Sequence, residues 1–269
     1  MHVPSRDRST AQSQEIQISL DRMARRLRWL GFTCEPLVLP GPPELEIPLL
    51  VQSRCVDRVL FAFEDSPDLT KTRAPLLAEL LLPLLDVPTC AIGRLVSPSS
   101  GTLIRNITLA ISADSKCEVP LSFASRLAQE LHAKLNLFHV FDGRAGEASP
   151  RTAQAVAARL PSPTWREAEL FCPTEITVRE GDASGEILKY CTSTKQDLLI
   201  LCSPGDVTSQ LAFRRSVSFA VIAEAHCPVF VLKSEPAIVG SVIAGSVSPE
   251  KFSAYGEEVE REPRKEAVM

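Results

Sequence analysis

An internal repeat constrains the fold of this 269-residue chain more than any single motif. Shifting the sequence by one fixed offset, without a gap, superimposes a glycine, an aspartate and a proline: Gly41 on Gly181, Asp57 on Asp197, and Pro88 on Pro228. The surrounding segments match in pattern: EPLVLPG lies over EITVREG, DRVLFAF over DLLILCS, and VPTCAIG over CPVFVLK. A fixed period of this kind indicates two copies of one folding unit.

The second copy alternates between strand-like and helix-like segments. Its strand-like runs are NITLAIS, KLNLFHVF, EITVRE, DLLILCS and PVFVL, rich in β-branched and apolar residues. Helical periodicity fills the intervals, and Ser115 with Glu118 has the S-x-x-E spacing of a capping box at a helix start. Strands that alternate with helices predict an α/β fold, a doubly wound parallel sheet with helices on both faces.

The repeat also sets the predicted domain boundaries. We expect a truncated first copy over residues 1–95, a linker over 96–105, a complete second copy over 106–234 and a disordered tail over 235–269, because the end of the tail, GEEVEREPRKEAVM, is highly charged. The first copy lacks a counterpart of the opening strand, helix and strand. Either this half has lost those elements, or its start was assigned at an internal methionine, and the sequence leaves both explanations open.

Composition argues against several functional classes. The net charge of −4 and pI of about 5.7 are unlike those of a dedicated nucleic-acid-binding protein. No apolar run approaches the roughly 20 residues that span a bilayer. The eight cysteines form no CxxC pair and no cluster with histidine, which predicts reduced, mostly buried thiols. Without a recognisable catalytic triad, metal cluster or carboxylate pair, the sequence predicts a cytoplasmic protein that is not an enzyme and binds no metal.

Several other features have structural explanations. The helix at 14–30 should bury a stripe formed by apolar residues: Ile16, Leu20, Met23, Leu27 and Leu30. Its arginines should form the solvated face: Arg22, Arg25, Arg26 and Arg28. We expect His139 and His226 to be structural, since neither has a partner at metal-ligand spacing. Asp57 and Asp197 begin strands at the edge opposite the expected pocket, so we expect them to be structural as well.

The second copy resembles a universal stress protein domain. The segments that carry the resemblance are NITLAISADS, LNLFHVF, VREGDASGEILKYC, DLLILCSPG and AEAHCPVFVL, which together cover about 104–233. Residues 14–93 show a shorter form of the same resemblance. The resemblance implies the sheet order 3-2-1-4-5 and pairing of domains through their last strands. In this tandem chain, Pro88–Ile92 and Pro228–Leu232 would pair within one polypeptide. A homo-oligomer and an unidentified protein partner are further expectations.

The resemblance also defines a candidate nucleotide site. Members of the family that bind ATP share a G-x2-G-x9-G-[ST] stretch after the fourth strand. Those positions fall here on Cys202, Gly205, Arg215 and Ser216, of which only Gly205 and Ser216 match. The aspartate that usually ends the first strand is replaced by Ser112, whereas Val140 matches a position that lines the adenine pocket. The candidate, degenerate ATP-site positions are therefore Ser112, Val140, Cys202, Gly205, Arg215, Ser216 and Val217.

Physical arguments about this site point in both directions. A helix N-terminus at Ser216, beside Arg214 and Arg215, would attract phosphate. However, the Cβ of Cys202 and the long side chain of Arg215 occupy space that a phosphate-binding backbone needs. Loss of the carboxylate at Ser112 removes a charge-assisted hydrogen bond worth about 1.5–3 kcal/mol. We therefore expect a stress-response interaction or regulatory protein without a cofactor, with an ATP-binding switch as the alternative.

Overall fold

The computed structural model describes residues 10–62, 78, 81–93, 95–96, 103–112, 117–143, 150–160, 172–203 and 217–233. The helices in these ranges are α1 (Thr10–Trp29), α2 (Pro43–Ser53), α3 (Glu118–Leu131), α4 (Ala153–Ala157), α5 (Ala183–Ser193) and α6 (Val217–Glu224). The strands are β1 (Val59–Ala62), β2 (Thr89–Ile92), β3 (Asn106–Ile111), β4 (Lys134–Phe141), β5 (Thr174–Glu180), β6 (Leu198–Ser203) and β7 (Val229–Lys233). Met1–Glu235 form one compact unit, and the predicted tail lies outside the described residues.

The strands form one sheet in the order β1-β2-β7-β6-β3-β4-β5. Each pair of neighbours is parallel except β2 and β7. Helices cover both faces, so the predicted α/β fold is confirmed. Counted within residues 106–233, the five strands lie in the order 3-2-1-4-5.

The antiparallel contact between β2 and β7 joins the two halves of the sheet. Thr89 lies opposite Val231, Cys90 opposite Phe230 and Ala91 opposite Val229. Close to this junction, the Lys233 ammonium donates a hydrogen bond to the carbonyl oxygen of Pro83 at 3.0 Å and pairs with the Asp86 carboxylate. The segments predicted as two domains thus share one continuous sheet.

The two faces of the sheet carry separate apolar clusters. We call them the α3 face, covered by α3 and α4, and the α6 face, covered by α5 and α6. Along β6, Leu198 and Ile200 belong to the α3 face, whereas Leu199 and Leu201 belong to the α6 face. All four are buried, which explains why this strand has a continuous apolar sequence instead of an alternating one.

Helices α2 and α5 have equivalent bounds under the offset that places Gly41 on Gly181, because Pro43 then falls on Ala183 and Ser53 on Ser193. Their C-cap residues also have nearly the same backbone angles: φ −99° and ψ 6° at Arg54, φ −101° and ψ 3° at Thr194. The residues that follow the two C-caps both have positive φ, at 48° in Cys55 and 51° in Lys195. Each helix therefore ends in the same way.

The entry into each helix is also alike. A Cβ placed on Gly41 would overlap the side chain of Glu46, and a Cβ on Gly181 would lie 2.9 Å from the Glu186 Cγ. At both positions a glutamate in the first helical turn folds back over the glycine. The glycine leaves room for that side chain, which explains why both segments place a glycine shortly before the glutamate.

Helix α1 departs from the prediction. It spans Thr10–Trp29, whereas the sequence predicted 14–30. Ile16, Leu20 and Leu27 are half-buried, but Met23 is 60% exposed and Leu30 is 55% exposed. The expectation that Met23 and Leu30 face a core was wrong. The buried stripe passes through Ala24, which is 1% exposed and follows Leu20 by four residues, so Met23 lies at its edge. Leu30 follows the last residue of the helix.

Candidate functional site

The sheet has a topological switch point between β3 and β6. From β3 the chain proceeds outward through β4 to β5, whereas β6 and β7 lie on the other side of β3. The crevice beyond the carboxyl ends of strands at such a point is where open α/β sheets bind ligands. Ser112 directly follows β3, and Ala110 lies in register with Leu201, next to Cys202. The carboxyl ends of β3 and β6 therefore form the candidate site.

The structure places four of the predicted site residues. Ser112 is exposed, and Val217 is the exposed first residue of α6. Val140 is half-buried in the apolar cluster of the α6 face. Cys202 is half-buried in register with Leu232, and by strand alternation it points to the α3 face, as Ile200 does. The side chains of Val140 and Cys202 are therefore on opposite faces. The remaining predicted positions, Gly205, Arg215 and Ser216, lie outside the described residues.

His139 fixes the backbone at the end of β3. The imidazole is buried, and its Nδ1 lies 3.1 Å from the carbonyl oxygen of Ile111. A carbonyl oxygen only accepts hydrogen bonds, so Nδ1 carries the proton and donates it. Nε2 has no hydrogen-bond partner among the described residues. This contact gives His139 a structural role directly before Ser112, as the sequence predicted.

Carboxylates flank the same edge of the sheet on the β4 and β5 side. Asp142 follows β4, and Glu180 ends β5 with its carboxylate against Gly143. Asp182 is the N-cap of α5, and it accepts hydrogen bonds from Ser184 Oγ at 2.7 Å and Gly185 N at 2.8 Å. These two bonds hold the pKa of Asp182 below its usual value. Three carboxylates therefore lie beside the switch point, and the Arg151 guanidinium lies at the same edge, 5.6 Å from the centroid of the Phe141 ring.

Comparison with known proteins identifies the domain that holds this crevice. The family model described as the universal stress protein family matches residues 103–233. These residues belong to the universal stress protein family. No curated protein is a significant match to the chain.

Solved structures show the same fold. A universal stress protein from Archaeoglobus fulgidus DSM 4304 is 17% identical at a TM-score of 0.63, over 82% of this chain and 77% of that protein. A universal stress protein described as putative, from Pseudomonas aeruginosa, is 15% identical at a TM-score of 0.53, over 86% and 80%. A universal stress protein family protein from Arabidopsis thaliana with AMP bound is 19% identical, over 52% and 99%, but its TM-score of 0.36 supports no inference about this chain.

The opposite edge of the universal stress protein domain contains a structural clamp. The Asp197 carboxylate accepts hydrogen bonds at 2.9 Å from the backbone N–H groups of Arg105 and Asn106. These bonds fix the start of β3 beside the start of β6. The structural role predicted for Asp197 is confirmed, whereas Asp57 has no hydrogen bond to any other described residue.

Five of the eight cysteines are buried, and all eight are free thiols. Burial, together with the nearby Cys227, raises the pKa of Cys90 to about 12. The Cys191 thiol donates a hydrogen bond to the Cys227 sulfur, which lowers the pKa of Cys227. No three His, Cys, Asp or Glu residues are grouped as metal ligands within the described ranges. No helix that the structure describes is both long and apolar enough to cross a membrane.

Sequence reasoning missed a cleft of about 520 Å³ on α3. The residues that line it come from α3 and from the start of β1: Arg58, Glu118, Val119, Ser122, Phe123, Arg126, Leu127 and Glu130. The Arg58 guanidinium lies 5.8 Å from the centroid of the Phe123 ring. The spacing Val119-Phe123-Leu127 is a sequence signal for this second helix face.

Proposed function

We propose that the chain is a tandem universal stress protein, with residues 35–92 and 175–233 as matching parts of its two copies. In this proposal it acts as an interaction or regulatory protein of a cytoplasmic stress response, with no enzymatic activity and weak or no nucleotide binding. The observation that carries the proposal is the carboxyl edge of β3, where Ser112 stands in place of the aspartate that usually ends this strand in the family.

Matched backbone geometry supports the tandem arrangement. Helices α2 and α5 correspond under the repeat offset, and each is followed by a residue with positive φ at the same relative position. Both are preceded by a glycine over which a glutamate folds. Two unrelated segments would rarely share the bounds of a helix, its C-cap angles and a glycine–glutamate contact.

Electrostatics and side-chain volume argue against tight binding of a triphosphate. Ser112 has no charge with which to hold a ribose hydroxyl or an amino group. The Cys202 side chain adds volume where close approach to the backbone is needed. Glu180 and Asp182 place negative charge at the end of β5, which repels an anionic ligand. Together these features favour an ancestral nucleotide crevice that no longer retains its ligand.

An ATP-binding switch is the second candidate. Its support is the retained architecture, because Ser112, Val140 and Cys202 all lie at the carboxyl edge of the sheet around the switch point. The N-terminus of α6 follows at Val217. Phosphate release that depended on the same crevice would distinguish an enzyme from a switch.

Calorimetric titration with Mg-ATP tests the proposal. We expect no saturable heat up to about 1 mM nucleotide, corresponding to a binding free energy weaker than about −4 kcal/mol. The double variant Ser112→Asp/Cys202→Gly restores the carboxylate and removes the extra side chain, so it should gain affinity. Ser193→Asp, at an exposed position of α5, is the charge-matched control and should gain none. Micromolar binding by the wild type that Ser216→Glu abolishes would replace the proposal with the switch.

A further inference from the structure

Helix α3 has a second face besides the one that packs on the sheet. Its core side is formed by buried residues: Leu121, Ala124, Ser125 and Ala128. Beside it run two ridges with a spacing of four residues, one polar and one apolar: Glu118-Ser122-Arg126-Glu130 and Val119-Phe123-Leu127. In the apolar ridge, Phe123 and Leu127 are half-buried against the cluster of the α3 face, and Val119 is exposed. Ridges of this kind are the surface with which one helix packs into the grooves of another. Nothing in the described chain packs on the exposed part, where Val119 is 48% exposed.

No described helix covers the sheet beside this face. Leu60 in β1 lies in register with Cys90, which lies opposite Phe230, so Leu60 points to the α3 face. Leu60 is 64% exposed, whereas Ile200, its counterpart in the second copy, is completely buried by α3. Arg58 at the start of β1 and the ridges of α3 form the two walls of the cleft. The cleft therefore lies where a further helix would cover β1.

The charges on the polar ridge are self-complementary. Glu118 and Arg126 lie four residues on either side of Ser122, and each is about 6 Å from it along the helix axis at 1.5 Å per residue. Two such helices packed antiparallel, with their twofold axis at Ser122, would place each Glu118 opposite an Arg126. The small serine at the crossing point permits close approach. Glu118 and Arg126 are both exposed, and neither makes an ion pair with any described residue.

We propose that this face binds a second copy of the chain, with α3 antiparallel to α3 of the partner subunit. The Ser122 side chains meet at the centre, the exposed Val119 lies beside them, and Glu118 pairs with Arg126 of the partner subunit in two reciprocal contacts. An interface of this kind is isologous, because the same surface patch is used on both subunits.

The balance of charge in the cleft favours this occupant over a charged peptide. Arg58 and Arg126 supply two positive charges, and Glu118 and Glu130 supply two negative charges. A strongly acidic or basic segment would meet as much repulsion as attraction, whereas a second copy meets its own complement. Because the interface consists mainly of one helix pair, we expect a weak dimer, with a Kd on the order of 10 µM.

Sedimentation velocity of the full chain over about 1–200 µM tests the dimer, within the range where weak interfaces associate. Arg126→Glu and Glu118→Arg should each weaken association at least about tenfold, because each places two like-charge pairs in the interface. The double variant Glu118→Arg/Arg126→Glu should restore it, and an equimolar mixture of the two single variants should form heterodimers. Arg179→Glu, at an exposed position of β5, is the charge-matched control and should leave association unchanged.

Two outcomes would overturn the proposal. One is a wild-type chain that stays monomeric throughout this concentration range. The other is a dimer that neither single charge reversal weakens, or that the double variant fails to restore, since a merely destabilised fold would not be rescued by a second reversal. Ser122→Cys gives an independent readout, because a cysteine at the twofold axis should form a covalent dimer under mild oxidation. Val119→Cys, displaced from the axis, should cross-link less, and cross-linking at least as efficient at Val119 would contradict the proposed register.

Discussion

Residues 35–92 and 175–233 contain matching elements whose surroundings differ. Helices α2 and α5 have equivalent bounds and C-caps. Ile200 is buried while Leu60 is mostly exposed, and Asp197 clamps the start of β3 while Asp57 has no hydrogen bond to a described residue. The comparison separates two levels of structure. Local backbone geometry follows from local sequence, whereas the burial of a side chain and its hydrogen bonds depend on neighbouring elements. Beside β6 these neighbours are β3 and α3, and the described residues contain no counterpart of them beside β1.

The helix starts show that different residues can produce the same local backbone geometry. Asp182 caps α5 through its side chain, while the equivalent Pro42 has no side chain able to do so. Pro42 nevertheless has φ −74° and ψ 133°, close to φ −72° and ψ 128° at Asp182. The ring of a proline fixes φ near this value. Proline and aspartate therefore reach the same entry geometry by different means.

The largest expected effect is a difference in stability between variants of Ile200 and Leu60, which occupy the same position in the two copies. Ile200→Ala should destabilise the protein by about 2–5 kcal/mol, because it removes buried methyl groups and leaves a cavity. Leu60→Ala should cost less than about 0.5 kcal/mol, as surface changes usually do. Urea unfolding measures both. Equal costs would show that β1 is covered in solution to the same extent as β6.

The next contrast is between the two aspartates that begin strands. Asp197→Ala leaves the N–H groups of Arg105 and Asn106 without their acceptor, and should cost about 1–3 kcal/mol. Asp57→Ala should change stability by no more than about 0.5 kcal/mol. The same unfolding experiment applies. A substantial loss in Asp57→Ala would mean that this carboxylate clamps a strand in the first half too.

A smaller effect is expected at the junction of the halves. Lys233→Met removes the contacts with Pro83 and Asp86 and should cost about 1 kcal/mol, a value reduced because the Asp86 carboxylate is partly exposed to solvent. About 1 M salt should reduce the difference between variant and wild type, since it screens the ion pair. Lys189→Met, which removes a more exposed ion pair with Glu186, serves as control. If Lys233→Met were no more costly than this control, the ion pair would not stabilise the junction.

The smallest effect is a pH dependence. The pKa of Cys90 is raised to about 12 in the folded protein, so its contribution to stability is present below the unfolded pKa and is lost as pH rises toward the folded pKa. Between pH 7 and pH 9.5, the wild type should lose about 0.8 kcal/mol more than Cys90→Ala. The reason is that the thiol ionises near its ordinary pKa of 9.0 in the unfolded chain and only near 12 in the folded protein. Unfolding at both pH values measures this difference. Stability that fell by the same amount in both proteins would show that the Cys90 thiol is not buried in the folded protein.

The sequence predicted the elements that depend on long apolar runs and local turns. The run Leu198–Leu201 indicated a strand buried on both faces, and β6 is one. Features that depend on tertiary contacts were not predictable in the same way. The spacing of Ser115 and Glu118 predicted a cap at Ser115, but α3 begins at Glu118 with Cys117 as N-cap and no side-chain hydrogen bond. Ser115 itself lies outside the described residues.

The candidate site was predictable only in part for the same reason. Register in the sheet brings the ends of β3 and β6 together, and the resemblance to the universal stress protein family was enough to predict Ser112 and Cys202 there. The opposite orientation of the Val140 and Cys202 side chains follows from pairing details that one sequence does not reveal. The α3 cleft exists because no described helix covers β1. The apolar spacing Val119-Phe123-Leu127 does not reveal from sequence alone which element packs against it.

Backbone hydrogen exchange across the β2–β7 junction tests the central claim most directly. If the segment that holds β1 and β2 shares one sheet with the universal stress protein domain, the amides of Thr89–Ala91 and of Val229–Val231 should have matching protection factors, close to those of the buried amides of β6. Exchange of the β2 amides at the rate of an unpaired segment, while β7 remains protected, would contradict it.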